Sequence, residues 1–140
     1  MTTIFASVAE GVMVCDSKTT SGGQWFSSTK VQRVGDELVA FAGYKVEGLK
    51  WLDWYSNGKR GPQPKIANSE ALILNDIGLF YLDPGGELTP IERGFMGVGT
   101  GGPCAVAAHM TGCDAETAVY IACAIDANSG GDVIVHKLAP

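Results

Sequence analysis

The second residue offers the most specific chemistry in the sequence. Thr2 follows Met1, and removal of Met1 would give Thr2 a free α-amine beside its own hydroxyl. Such an amine has a pKa of about 7.7–8.0, so it can accept a proton near neutral pH. A threonine hydroxyl activated by its own terminal amine is a known nucleophile design. Because many ordinary chains also begin Met-Thr, this feature predicts a nucleophile only together with residues that could support it.

Two charged residues could provide that support. Asp16 follows the apolar run Val12–Cys15, and Lys30 precedes the alternating segment 31–34, so both lie at predicted strand ends. A carboxylate beside a lysine forms an ion pair, and the ammonium lowers the pKa of a neighbouring amine or hydroxyl. Both residues could equally be ordinary surface charges.

Two glycine-containing segments could also belong to a site. Residues 97–102, Gly-Val-Gly-Thr-Gly-Gly, match a dinucleotide-binding motif by letter. That motif needs a βαβ unit and an acidic residue about 20 positions on, and the predicted elements do not provide the unit. Close backbone approach through glycine is the favoured explanation. In segment 126–131, Asp126 and Ser129 either form a simple turn or orient a distant amine and move its proton.

Length and composition predict one globular domain spanning residues 1–140. The hydrophobic fraction is 46% and the charged fraction 18%, which suits a compact domain. The net charge of −5 argues against nucleic acid and anionic membranes as partners, since both select basic surfaces. No apolar run approaches the roughly 18 residues of a membrane helix. No secretory signal is evident, so we expect a cytoplasmic protein.

The cysteines are predicted to be reduced core residues. Cys15, Cys104, Cys113 and Cys123 form no Cys-x-x-Cys pair, and the two histidines do not complete a zinc pattern. Their apolar surroundings in the sequence favour buried thiols over disulfides or metal ligands. We therefore expect neither a metal nor a cofactor.

Strand and helix signals occur in blocks along the chain. Residues 19–23 are predicted as a turn and residues 56–67 as a loop. The aromatic face of the predicted helix 44–55 suits packing on a sheet better than binding a ligand. Strands are predicted at 4–8, 12–15, 31–34, 37–42, 70–75, 78–82, 95–98 and 132–138, and helices at 44–55, 103–110 and 115–124. This order indicates two sheets with helices packed outside them.

Six short motifs resemble, in the same order, those of the proteasome β-subunit and HslV family of N-terminal nucleophile hydrolases. They include the start Thr2-Thr3-Ile4, the segment 28–31 and the turn 126–131, which is similar to the family's Asp-Ala-Tyr-Ser-Gly-Gly. The other segments are 16–22, 41–43 and 99–103. The resemblance runs almost from end to end. It implies an α+β fold, a four-layer α/β/β/α sandwich with shortened helices.

The resemblance also implies a threonine-type endopeptidase that needs no cofactor. Thr2 would be the nucleophile, and its freed amine the general base. Lys30 would lower the pKa of the nucleophile, and Asp16 would hold Lys30. Ser129 and Asp126 would orient the amine and assist proton transfer. The reaction would be acyl transfer to Thr2 followed by hydrolysis.

Three further residues would, by the same resemblance, bind the substrate. Thr20 and Gly43 would contact the substrate backbone, and the Gly43 amide would stabilise the tetrahedral oxyanion. Thr100 is also expected in the substrate site. Peptides or unfolded proteins would be cut by a homo-oligomer, with an ATP-dependent unfoldase as its partner.

Two departures from the family bear on this interpretation. The chain is shorter than a typical member, and only one helix fits between Gly43 and the loop at 56–67, where the family usually has two. Because those helices make ring contacts in the relatives, the resemblance leaves the form of the assembly open. An inactive structural subunit and a small-molecule amidase with the same nucleophile are the alternatives.

Overall fold

The computed structural model describes residues 2–139, which form eleven strands and three helices. In chain order these are β1 (Ile4–Ser7), β2 (Val12–Cys15), β3 (Lys18–Ser21), β4 (Gln24–Ser27), β5 (Val31–Val34), β6 (Glu37–Gly43), α1 (Lys45–Ser56), β7 (Ser69–Asn75), β8 (Gly78–Leu82), β9 (Leu88–Pro90), β10 (Phe95–Val98), α2 (Gly102–Met110), α3 (Ala115–Ile125) and β11 (Ile134–Lys137). One antiparallel sheet has the strand order β10-β1-β2-β11, and a second has the order β5-β6-β7-β8-β9.

Three apolar cores hold four layers together. Ile4 and Leu72 belong to the core between the two sheets, whereas Phe5 belongs to the core that includes residues of α2 and α3. Because successive side chains of a strand point to opposite faces, β1 is buried on both sides. Trp51 of α1 and Val39 of β6 belong to the third core, on the outer face of the five-stranded sheet. The layers therefore follow the order helix, sheet, sheet, helices, which confirms the predicted α/β/β/α sandwich.

The helix ends follow the local sequence. The Asp114 carboxylate accepts a hydrogen bond from the backbone N–H of Thr117 at 2.8 Å, which caps the start of α3. Pro103 lies in the first turn of α2, where its missing N–H costs no helical hydrogen bond. Among residues 2–139, α1 is the single helix between Gly43 and β7, as the sequence indicated.

The turn predicted at residues 19–23 is too long. The segment is a two-stranded hairpin, β3–β4, that pairs with neither large sheet. Its turn consists of Gly22 and Gly23, both at positive φ (59° and 74°). Two-residue hairpin turns favour such residues because their twist matches that of the strands. The sequence prediction also missed the short strand β9 and made β11 too long at both ends.

The cysteine prediction is only partly right. None of the four forms a disulfide, but Cys15 alone is buried while Cys104, Cys113 and Cys123 are half-buried. Across the described residues, 2–139, the helices are all too short or too polar to cross a bilayer.

Candidate active site

A buried ion pair lies at the centre of the predicted site. The Lys30 ammonium is 2.8 Å from Asp16 Oδ1, and the Asp16 side chain is completely buried. Asp16 also accepts backbone hydrogen bonds from Thr3 and Gly130, each at 3.0 Å. A charge without solvent needs such a full set of partners to be tolerated. Asp16 and Lys30 thus form an ion pair within the structure, and the part of that pair in a reaction stays a prediction.

The same ammonium reaches the predicted nucleophile. Lys30 Nζ donates to the Thr2 hydroxyl at 3.2 Å and to the Lys18 carbonyl at 2.6 Å. Together with the bond to Asp16, these acceptors fix the position of the ammonium. A positive charge at this distance favours the deprotonated form of a hydroxyl or amine. Thr2 is 8% exposed, so this field acts with little screening by water.

The turn at residues 126–131 contacts the N-terminal segment through Thr3. The Ser129 hydroxyl is 2.7 Å from the Thr3 hydroxyl and donates to Asp126 Oδ2 at 2.6 Å. Burial alone would raise the pKa of Asp126, but hydrogen bonds from Ser129, Thr100 and the Asn128 amide lower it below its usual value. The turn thus joins a carboxylate and a hydroxyl beside residues 2 and 3. Orientation of the Thr2 amine by these two groups stays a prediction.

The glycine-rich segment lets the chain start approach α2. The Gly101 amide donates to the Thr2 carbonyl at 3.1 Å. A methyl group on Gly101 would overlap the Thr3 hydroxyl, and one on Gly99 would overlap the Thr2 carbonyl. Only residues without a side chain permit this packing. The structural explanation of the segment is therefore confirmed, and β10 leads into it as an antiparallel neighbour of β1, not as part of a βαβ unit.

A cavity of about 180 Å³ lies against Thr2. Thr20 and Gly43 line it, and their contact with a substrate stays a prediction. Phe41, Leu49 and Leu52 form its apolar wall, and its charged lining residues, Lys30 and Lys45, are both basic.

Thr100 has a different position from Thr20 and Gly43. It is absent from the cavity wall, and its hydroxyl donates to Asp126 Oδ2 at 2.6 Å. The structure therefore gives it a partner on the turn, and the predicted contact with substrate remains without support.

Burial keeps a neighbouring thiol out of the chemistry. Desolvation, and then the charge of Asp16, raise the pKa of Cys15 to about 11. Since the thiolate is the reactive form, burial disfavours reaction at Cys15 near neutral pH. Within residues 2–139 there is no group of three or more His, Cys, Asp or Glu side chains arranged to hold a metal.

Three contributors to the site were missed from the sequence. The Thr3 hydroxyl is hydrogen-bonded to Ser129, and the Lys18 carbonyl accepts a hydrogen bond from Lys30. Glu47 accepts a hydrogen bond from the backbone N–H of Asn68, which lies beside Gly43. Thr3 stands next to the predicted nucleophile, but nothing in its local pattern indicates a fully buried hydroxyl. Glu47 lies in the first turn of α1, a position that usually indicates favourable interaction with the helix dipole and no more.

Comparison with known proteins tests the architecture. No protein-family model and no curated protein matches the sequence. The solved structure of BPH from Thiobacillus denitrificans is similar at a TM-score of 0.76 and 22% identity, covering 99% of each chain. BPH in complex with epoxomicin gives a TM-score of 0.75 and 21% identity, covering 99% of this chain and 100% of that chain.

A eukaryotic relative gives the same result. HslV from Trypanosoma brucei has a TM-score of 0.76 and 22% identity, covering 97% of this chain and 99% of that one. Similarity at this level of identity establishes architecture and leaves activity to be argued from the site. The fold that the resemblance implies is therefore confirmed: the chain has the fold of BPH and HslV.

Proposed function

We propose that this protein is a threonine-type endopeptidase whose nucleophile is the Thr2 hydroxyl. The observation that carries the proposal is the Lys30 ammonium, which contacts both buried Asp16 and the Thr2 hydroxyl. Three acceptors, one of them the Thr2 hydroxyl, fix the ammonium beside that hydroxyl. A fixed positive charge at this position suits a hydroxyl that must lose its proton.

The proposed reaction starts once Met1 has been removed. The Thr2 hydroxyl attacks the substrate carbonyl and passes its proton to the Thr2 amine, while the Gly43 amide binds the oxyanion. The tetrahedral intermediate collapses as the scissile C–N bond breaks, and the leaving amine takes the proton. Water then adds to the ester, and the acid product leaves with Thr2 regenerated. Throughout the reaction, the ion pair with Asp16 keeps the positive charge of Lys30 beside the Thr2 hydroxyl.

The cavity beside Thr2 indicates which peptides fit. Its wall of Phe41, Leu49 and Leu52 suits an apolar side chain next to the scissile bond. Because Lys30 and Lys45 are its charged lining residues, a basic substrate side chain would meet like charges. We therefore propose peptides and unfolded chains with apolar or other non-basic residues at this position as substrates.

We further propose that the chain acts as a homo-oligomer in the cytoplasm, with an ATP-dependent unfoldase as its partner. The HslV-like fold supports assembly. Apolar side chains of α3 also support it, because Tyr120 is 55% exposed and Ile125 is 70% exposed.

The test combines intact-mass measurement with activity and labelling. Purified protein should lack Met1, cleave fluorogenic peptides and gain one epoxomicin adduct, the inhibitor found with BPH. Thr2→Ala should abolish cleavage and labelling, whereas Thr89→Ala, at an exposed position on β9, should change neither. A chain that retains Met1 and cleaves no peptide would instead be an inactive structural subunit. Cleavage of small amides in preference to peptides would favour the amidase alternative.

A further inference from the structure

The start of α1 is capped by another part of the chain. Tyr44 is the N-cap residue, and its own side chain makes no capping hydrogen bond. Its backbone N–H instead donates to the Ser69 hydroxyl at 3.0 Å. Ser69 is the first residue of β7 and is buried, so the helix start is attached to the neighbouring strand.

Glu47 completes this attachment with both carboxylate oxygens. Oε1 accepts from the Ser69 hydroxyl at 2.7 Å and from the Asn68 backbone N–H at 3.1 Å. Oε2 accepts from the Asn68 side-chain amide at 3.1 Å. The Ser69 bond in particular holds the pKa of Glu47 below its usual value, so the carboxylate is charged at neutral pH. Hydrogen bonds to a charged acceptor are stronger than neutral ones.

The arrangement is a capping box with an inserted hydroxyl. In the usual motif, a glutamate in the first turn accepts the N–H of the N-cap residue directly. Here Ser69 stands between them, accepting from Tyr44 and donating to Glu47. The geometry of α1's first turn is thereby coupled to β7.

Gly43 is the residue most affected by this coupling. It is paired with Ser69 at the ends of β6 and β7 and has φ of 127°. A methyl group there would overlap the Asn68 carbonyl. Because glycine has no side chain to restrict its own torsions, neighbouring contacts must fix its orientation. Ser69 supplies them on both sides, through strand pairing at Gly43 and through its hydroxyl at Tyr44.

We propose that Glu47 is a positioning residue that, through Ser69, holds the Gly43–Tyr44 backbone in the orientation required for oxyanion binding. The inference rests on the proposed peptidase function. Glu47 does not line the cavity, so its effect would be transmitted by the hydrogen bonds described. Loss of the carboxylate would leave Lys30, Asp16 and Thr2 in place.

The experiment compares Glu47→Gln and Ser69→Ala with Glu87→Gln, which alters an exposed carboxylate in the turn before β9. Glutamine retains the size of glutamate, but its NH2 group cannot accept the hydrogen bond that Oε2 takes from the Asn68 side-chain amide, and its neutral carbonyl is a weaker acceptor for Ser69. We expect Glu47→Gln and Ser69→Ala to lower kcat per active site by about 10–100-fold, because small displacements of catalytic groups cost rates of this order. KM should change little, and the pH at which activity rises should be that of the wild type. Glu87→Gln should behave as the wild type throughout.

Amide hydrogen exchange supplies a second readout that does not depend on turnover. The Tyr44 N–H should exchange faster in Glu47→Gln, with global stability measured in parallel. An active wild type with unchanged kcat per site in Glu47→Gln would overturn the positioning role. A loss of kcat that is explained entirely by a smaller folded fraction would overturn that role as well. An inactive wild type would instead overturn the proposed function on which the inference rests.

Discussion

The two sides of the candidate site differ in how firmly they are held. On the nucleophile side, Asp16 and Thr3 are completely buried and Ser129 is 5% exposed, and all three make side-chain hydrogen bonds. On the substrate side, Tyr44 and Leu49 are more than half exposed at the mouth of the cavity. The comparison teaches that buried hydrogen-bonded residues fix the surroundings of Thr2, whereas the opposite wall of the cavity carries exposed side chains.

The largest effect should come from breaking the ion pair on the nucleophile side. Lys30→Ala would leave the Asp16 carboxylate buried without its counter-charge, a change that costs about 3–5 kcal/mol of folding stability. Peptidase activity should fall by about 10²–10⁴-fold, because the hydroxyl would lose the charge that favours proton transfer. Chemical denaturation and kcat/KM measure the two losses.

The matched control for that variant is Lys50→Ala, which removes an exposed lysine from α1. It should alter neither stability nor rate. A stable and fully active Lys30→Ala protein would contradict the contrast between the two sides.

An intermediate effect is expected from filling the close approach at Gly101. Gly101→Ala should destabilise the fold by about 1–3 kcal/mol, as overpacking of cores does. Its φ of −89° suits alanine, so the cost comes from steric overlap, chiefly with the Thr3 hydroxyl. Thermal unfolding and active-site labelling with epoxomicin would report the loss of stability and of nucleophile placement. In the control, Gly85→Ala, the nearest atom is the flexible tip of Asp83, 3.2 Å away, so wild-type behaviour is expected.

The smallest effect should follow a change to the substrate wall. Phe41→Ala would enlarge the cavity and should raise the preference for aromatic over small apolar residues by about 10-fold, the scale set by hydrophobic pockets. Because the Phe41 ring packs against the Trp51 ring, with 5.5 Å between their centroids, Phe41→Ala will also lower the folding stability. Specificity profiles of kcat/KM measure the first effect. The control Phe26→Ala alters a phenylalanine outside the cavity wall, and an identical shift in that variant would disprove the role of the cavity.

The contrast also explains which parts of the site could be predicted from the sequence. Asp16 follows the buried apolar strand β2, and Lys30 precedes the alternating strand β5, so both charges stand at strand ends that are visible in the sequence pattern. The glycines at 99 and 101 were likewise attributed to close backbone approach, which the overlaps at Thr2 and Thr3 confirm.

Contacts that depend on tertiary pairing were not predictable in the same way. Thr3 meets Ser129 across 126 positions of sequence, and no local pattern specifies that distance. Glu47 acts through Ser69, 22 positions further on, in place of the direct contact that a sequence motif would show. The hairpin β3–β4 was missed because its exposed strands lack the alternation of a half-buried strand.

The place of β1 in its sheet has a consequence for how the molecule is made. One neighbour, β2, follows within a few residues, but the other, β10, pairs Ile4 with Val98. A ribosome must therefore produce most of the chain before the opening strand acquires its second partner, and the turn bearing Ser129 emerges later still. The contacts around Thr2 and Thr3 therefore cannot form on the nascent polypeptide until the turn that bears Ser129 has been synthesised.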